Sequence, residues 1–91
     1  MNVAVSSVEE EIRNRLQALS PTSLHLENES AQHAGHAGAK EGGHYRLTIV
    51  SSQFQGLNAV GRHRLVYQSL GDLMQKGIHA LAISAFTPEE F

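Results

Sequence analysis

The segment "NAVGRHRLVYQSLGDLMQKGIHALAISAF" (residues 58–86) predicts a helix that leads directly into a strand. Lys76 and Gly77 supply a basic last turn and a glycine stop for the helix. The part that follows, "IHALAISAF", is short and dense in apolar residues and predicts a third strand. A strand reached through a crossover helix lies parallel to an earlier strand. The apolar residues at helical spacing are Val60, Val66, Leu70, Leu73 and Met74.

Two strands are predicted before this helix. Leu24 and Leu26 alternate with polar residues, which is the period-2 pattern of a half-buried strand. The stretch "HYRLTIVSS" (residues 44–52) alternates in the same way and is rich in β-branched and aromatic residues. Because the two strands are adjacent in sequence, we expect an antiparallel hairpin, although its loop is unusually long.

Helix-capping signals lie at both ends of the chain. Ser6 and Ser7 each precede a glutamate by three residues, which predicts a first helix that ends before Pro21. Thr87 and Glu90 form the same pattern in the tail "FTPEEF" and predict one further helical turn. The apolar stripe of the first helix consists of Val8, Ile12, Leu16 and Leu19.

These elements predict the order α-β-β-α-β-α. We expect residues 1–91 to form a single two-layer α+β domain, in which helices cover one face of a three-stranded mixed sheet. No internal repeat or domain boundary interrupts the pattern.

Composition excludes several classes of function. The chain has no cysteine, so it cannot by itself supply a disulfide, a thiol nucleophile or an all-thiolate metal site. A net charge of −2 provides no overall basic field for nucleic acid. No stretch approaches the roughly 18 apolar residues of a membrane span. No catalytic arrangement is recognisable, and we expect a non-enzymatic, soluble cytoplasmic protein with no membrane partner.

Residues 33–44, "HAGHAGAKEGGH", contain three of the six histidines. His33 and His36 are three residues apart in a glycine-rich loop, a spacing compatible both with metal chelation and with a simple connector. His79, at the start of the third strand, fits a partly buried structural role or a ligand role. His25 and His44 are most simply surface residues on strands.

The densest basic stretch is Arg62-His63-Arg64, at the start of the second main helix. Such a helix start is able to bind nucleic acid or an anionic protein partner. The alternative is that these side chains cap the helix, pack or are solvated.

The segments "SSQFQGLNAVGRHRLVYQSLGDLM" and "IHALAISAFTPEEF" resemble the BolA family. The similarity extends from about Val8 to Phe91 and includes Phe54-x-Gly56, Arg62-His63-Arg64, Ile78-His79-Ala80 and Thr87-Pro88. The resemblance implies a fold related to type II KH domains. It also implies a partner of monothiol glutaredoxins that shares a 2Fe-2S cluster with glutaredoxin and glutathione.

In the family, the residue that corresponds to His79 is a cluster ligand, and the long loop supplies a second one. With no cysteine, this chain resembles the histidine subgroup. The family pattern E-S-x-x-H matches residues 29–33 and favours His33 over His36 as the loop ligand. His63 is expected in the helix or docking surface rather than at the metal. Imidazole ligands raise the reduction potential relative to thiolates and make ligation depend on pH.

The resemblance leaves a second class of function open. Bacterial members are linked to transcription, so a nucleic-acid-binding regulator that uses Arg62, His63 and Arg64 is the alternative. DNA and a weak homodimer are therefore further candidate partners.

Overall fold

The computed structural model describes residues 7–29 and 43–91. Its elements are α1 (Ser7–Leu16), a 3₁₀ turn (Gln17–Leu19), β1 (Ser23–Asn28), β2 (Gly43–Val50), a second 3₁₀ turn (Ser52–Phe54), α2 (Ala59–Leu70), α3 (Leu73–Lys76) and β3 (Ile78–Phe86). No helix among these described segments is long and apolar enough to cross a membrane.

The three strands form one sheet in the order β1-β2-β3. β1 pairs antiparallel with β2, with Leu26 opposite Leu47. β2 pairs parallel with β3, with Leu47 opposite Ile83. The sequence prediction of a hairpin, a crossover helix and a parallel third strand is confirmed, because the chain returns through the helices to the side of β2 that β1 leaves free.

The core lies between the helices and one face of the sheet. Alternate residues of β2 point into it, and the helices contribute their apolar stripes. Its fully buried larger side chains are Ile12, Leu16, Leu47, Ile49, Phe54, Val66 and Leu70. The two-layer α+β fold with a three-stranded mixed sheet is thus as predicted.

Three local predictions differ from the structure. The second main helix does not continue to Lys76, because Gly71 adopts a positive φ of 59° and separates α2 from α3. Val60, which was assigned to the apolar face, is 64% exposed. The tail after β3 forms a hydrogen-bonded turn rather than a helix, although the Thr87 N–H donates to Glu90 Oε1 at 2.9 Å as the capping pattern predicts.

The sheet has two ends of different character. The open end contains the last residues of β1 and the first residues of β2 and β3 (28–29, 43–44 and 78–80). The closed end contains the last residues of β2 and β3 and the turns that follow them (50–54 and 86–90). Residues 30–42, which we call the histidine-rich segment, connect β1 to β2, whose adjoining ends lie at the open end.

Candidate functional site

His79 lies in an irregularity of the open end. Gly43 is opposite Ile78 and His44 is opposite Ala80, so His79 is an extra residue with no counterpart on β2. Such a bulge turns a side chain out of the regular alternation, and bulges are common beside functional sites. His79 is exposed. The sequence prediction located this residue at the start of a strand, and the structure adds the bulge.

His44 is the nearest aromatic neighbour recorded for His79. The two ring centroids are 5.0 Å apart and the rings are tilted by 44°. His44 is half-buried, on the face of the sheet away from the helices. Sequence reasoning regarded His44 as the simple beginning of β2. The signal that could have identified it is the parallel pairing, which brings together the second residues of β2 and β3.

Backbone hydrogen bonds hold the described residues on either side of the histidine-rich segment close to these rings. The Glu29 N–H donates to the His44 carbonyl at 2.7 Å, and the Gly43 N–H donates to the Gly77 carbonyl at 3.2 Å. His33 and His36 themselves lie outside the described residues, so their roles stay predictions. Within the described segments, no group of three or more His, Cys, Asp or Glu side chains is close enough to hold a metal ion.

Gly43 lies where this segment enters β2. A Cβ at this position would overlap the ring of Tyr45, which is 7% exposed. Burial, together with the nearby charge of Glu9, raises the pKa of the Tyr45 hydroxyl. The absence of a side chain at Gly43 therefore allows the buried ring to pack against the backbone at the base of the segment.

Arg62 is engaged within the protein. Its guanidinium donates to the carbonyl of Leu57 at 2.9 Å and to that of Ala85 at 3.0 Å. It also forms a two-pronged ion pair with Glu90, at 2.6 and 3.1 Å. Arg62, together with the Thr87 N–H, lowers the pKa of Glu90 to about 2. Arg62 therefore joins the start of α2 to the tail at the closed end.

The other two residues of the basic stretch lie on the outside of α2. His63 and Arg64 line a shallow depression with Val60, Tyr67 and Gln68. Val60 and Tyr67 are 64% and 42% exposed, so the depression combines apolar and cationic side chains. Arg64 is exposed and forms no ion pair with any other described residue. The structure therefore separates Arg62 from Arg64 by environment, although the sequence treats them alike.

Comparisons with known proteins identify the family of this chain. Residues 16–90 match the family model for BolA-like protein. BolA-like protein 1 of Mus musculus is 45% identical over 91 residues, which cover 99% of this chain and 65% of that protein. The DNA-binding transcriptional regulator BolA of Haemophilus influenzae is 38% identical over 92% of this chain and 77% of its own length. The chain spans 64% to 65% of the mammalian relatives' length.

Solved structures give the same result. The BolA domain of SufE1 from Arabidopsis thaliana has a TM-score of 0.82 and 46% identity, with 96% of this chain and 99% of that chain covered. The solution structure of BolA1 from Mus musculus has a TM-score of 0.79 and 45% identity, with 99% and 72% covered. A family model over most of the chain and relatives above 40% identity together show that this chain belongs to the BolA-like protein family.

Proposed function

We propose that the protein is a non-enzymatic partner of a monothiol glutaredoxin and shares with it a 2Fe-2S cluster, in iron-sulfur cluster trafficking or iron and redox regulation. The observation that carries the proposal is the exposed imidazole of His79 on a bulge, beside the point where the histidine-rich segment re-enters the sheet. We propose the cytoplasm as its location.

The donor set suits a shared cluster. His79 would supply one imidazole, and thiolates would come from the glutaredoxin cysteine and glutathione, because this chain has no cysteine. A histidine ligates through a deprotonated ring nitrogen, so protons compete with the metal for that nitrogen and ligation depends on pH. When bound, a cluster with two imidazole ligands has a higher reduction potential than one with four thiolates.

The second imidazole has three candidates. Sequence similarity favours His33, with His36 next. His33 is four positions after Glu29, which limits their Cα separation to about 14 Å at ~3.3–3.6 Å per residue. His44 joins them as a candidate because its ring already lies 5.0 Å from that of His79.

The test is co-expression with a monothiol glutaredoxin, followed by visible absorption and circular dichroism of the purified complex. We expect His79→Ala to abolish the histidine-dependent bands. The matched control is His25→Ala, because His25 is an exposed histidine on β1 and bonds Glu27 at 3.1 Å. An unchanged spectrum for His79→Ala would reject ligation by this residue.

The same spectra identify the second ligand. The variants His33→Ala, His36→Ala and His44→Ala are compared singly, and the true ligand is the one whose loss changes the spectrum as His79→Ala does. If none of the three alters the bands, the chain contributes a single imidazole and the two-histidine proposal is wrong.

A nucleic-acid-binding regulator is the second candidate function. It is supported by exposed Arg64 on α2 and by the printed name of the Haemophilus influenzae relative. We expect Arg64→Ala to reduce the slope of log affinity against log salt by ~1 if Arg64 contacts a phosphate. Arg13→Ala, an exposed arginine on α1, is the control. No DNA binding at low salt would remove this candidate.

A further inference from the structure

β3 forms one edge of the sheet, and its composition is unusual for an edge. Its nine residues, Ile78–Phe86, include no Asp, Glu, Lys, Arg, Pro or Gly. Edge strands normally carry charged residues or prolines, or are very short, and these features prevent them from pairing with strands of other chains. The other edge, β1, follows this rule: it has six residues, and its exposed Glu27 is paired with Arg46 on β2.

The hydrogen-bonding groups of β3 divide into two rows. The Ser51 N–H donates to the Phe86 carbonyl at 2.9 Å, so Phe86 directs its backbone groups toward β2. Since this direction alternates along a strand, Leu81, Ile83 and Ala85 direct theirs outward. Arg62 already donates to the Ala85 carbonyl. The outward groups of Leu81 and Ile83 have no recorded partner among the described residues.

The side chains of β3 are symmetric in size about Ala82. Leu81 and Ile83 flank it on the helix-covered face and are half-buried. Ala80 and Ser84 follow on the exposed face, and both are small. An antiparallel copy of this strand centred on Ala82 would therefore match large residues with large ones and small residues with small ones.

We propose that β3 pairs antiparallel with β3 of a second copy of this chain, about a two-fold axis at Ala82. Leu81 of each copy exchanges two backbone hydrogen bonds with Ile83 of the other, which gives four in total. Ala82 lies opposite Ala82 of the second copy in the non-hydrogen-bonded pair. This register uses the two residues whose outward groups have no recorded partner among the described residues. The paired region, residues 80–84, ends before Ala85, whose carbonyl accepts from Arg62.

The assembly closes at two copies. The two-fold contact consumes the β3 edge of both chains, and the remaining edges are the charged β1 strands. His79 is three residues from Ala82, so the two copies of His79 lie about six residues apart along the paired strands, or ~20 Å. The two copies of His79 are therefore separate from each other, and each lies just beyond the paired residues, beside Ala85 of the other copy. The proposal does not depend on the glutaredoxin function.

Cysteine cross-linking tests the register directly, because the natural chain has no cysteine. In this register the Cα atoms of Ala82→Cys in two copies are about 4.5 Å apart, within the range for a disulfide. Ser84→Cys is the matched control: it is exposed on the same face, but its two copies are ~13 Å apart. We expect the Ala82→Cys dimer to form at least ~10-fold faster under mild oxidation. Equal rates would overturn the register.

Sedimentation equilibrium of the full chain tests the dimer itself. We expect its mass to rise with concentration toward that of two copies. Ala82→Lys brings two ammonium groups together at the axis and should weaken dimerisation at least ~10-fold, whereas His25→Lys on β1 should not. Circular dichroism verifies that both variants fold. A protein that stays monomeric at millimolar concentration would overturn the proposal. Hydrogen exchange gives a second check: if the Leu81 and Ile83 amides become protected only when a different protein is added, the proposal is also wrong.

Discussion

The open and closed ends of the sheet are made from the same three strands but are held together very differently. At the closed end, buried Ser51 donates to the Leu19 carbonyl at 2.6 Å, and Arg62 and Glu90 join α2 to the tail. At the open end, β3 begins with a bulge and an exposed histidine. The closed end therefore stabilises the fold, while the open end carries the candidate metal ligands.

The largest expected effect is at the closed end, in the core beneath its 3₁₀ turn. Phe54 has no exposed surface, so Phe54→Ala removes a ring from close packing and leaves a cavity. We expect the free energy of unfolding to fall by about 3–5 kcal/mol, as measured by urea denaturation. Val60→Ala, at a 64% exposed position, should change it by less than ~0.5 kcal/mol. Similar losses for both variants would contradict the burial difference.

Gly43→Ala probes the tightly packed part of the open end. The added Cβ overlaps the buried Tyr45 ring, which must move. We expect a loss of about 1–3 kcal/mol in the free energy of unfolding, as for other overpacked sites. Gly61→Ala in α2 is the control, because its Cβ meets neighbours at ordinary distances of 3.4 Å or more. A neutral Gly43→Ala would show that the ring is not held by this contact.

Glu90→Gln tests the ionic link of the closed end through pH. The folded-state pKa of Glu90 is about 2, below the ordinary 4.5, so its charge contributes stability fully above pH 4.5 and loses that contribution as pH falls toward 2. We expect Glu90→Gln to lower Tm near neutral pH and the difference to shrink progressively as the pH falls from 4.5 toward 2. Glu89→Gln is the control on the same turn. A constant difference down to pH 2 would exclude the charge as the cause.

The smallest expected effect on stability is at His79. Because its side chain is exposed, His79→Ala should change the free energy of unfolding by no more than ~0.5 kcal/mol in urea denaturation, even if it abolishes cluster binding. A loss as large as that of Phe54→Ala would mean that His79 serves the fold and would remove the distinction between the two ends.

The candidate residue His79 could be named from the sequence, but the residues that surround it could not. His79 was a candidate ligand through family resemblance, while its position at a strand start was equally compatible with a structural role. The parallel pairing was expected from the crossover helix. The contact of His44 with His79 depends on register and on a bulge. A bulge shifts one strand by a single residue, and no local pattern in "GIHAL" marks where that shift occurs.

The basic stretch shows the same limit. Arg62 and Arg64 are the same residue type and lie two positions apart, and sequence reasoning assigned both to one binding surface. In the structure, the Arg62 guanidinium donates hydrogen bonds to two backbone carbonyls and to the Glu90 carboxylate, while the Arg64 side chain is exposed. The difference arises because residues two apart on a helix point about 200° apart, and only one of those directions faces β3 and the tail.

The sequence by itself determined the three strands, the first helix, the start of the second helix, the parallel return of β3 and the absence of thiol chemistry. These features follow from periodicity, capping residues and composition, which are local or additive properties. The tertiary structure alone decided which histidine contacts His79, which arginine is engaged, and which edge of the sheet is left without charge. Those outcomes depend on register and on side chains that meet from distant parts of the chain, and neither is encoded at any single position.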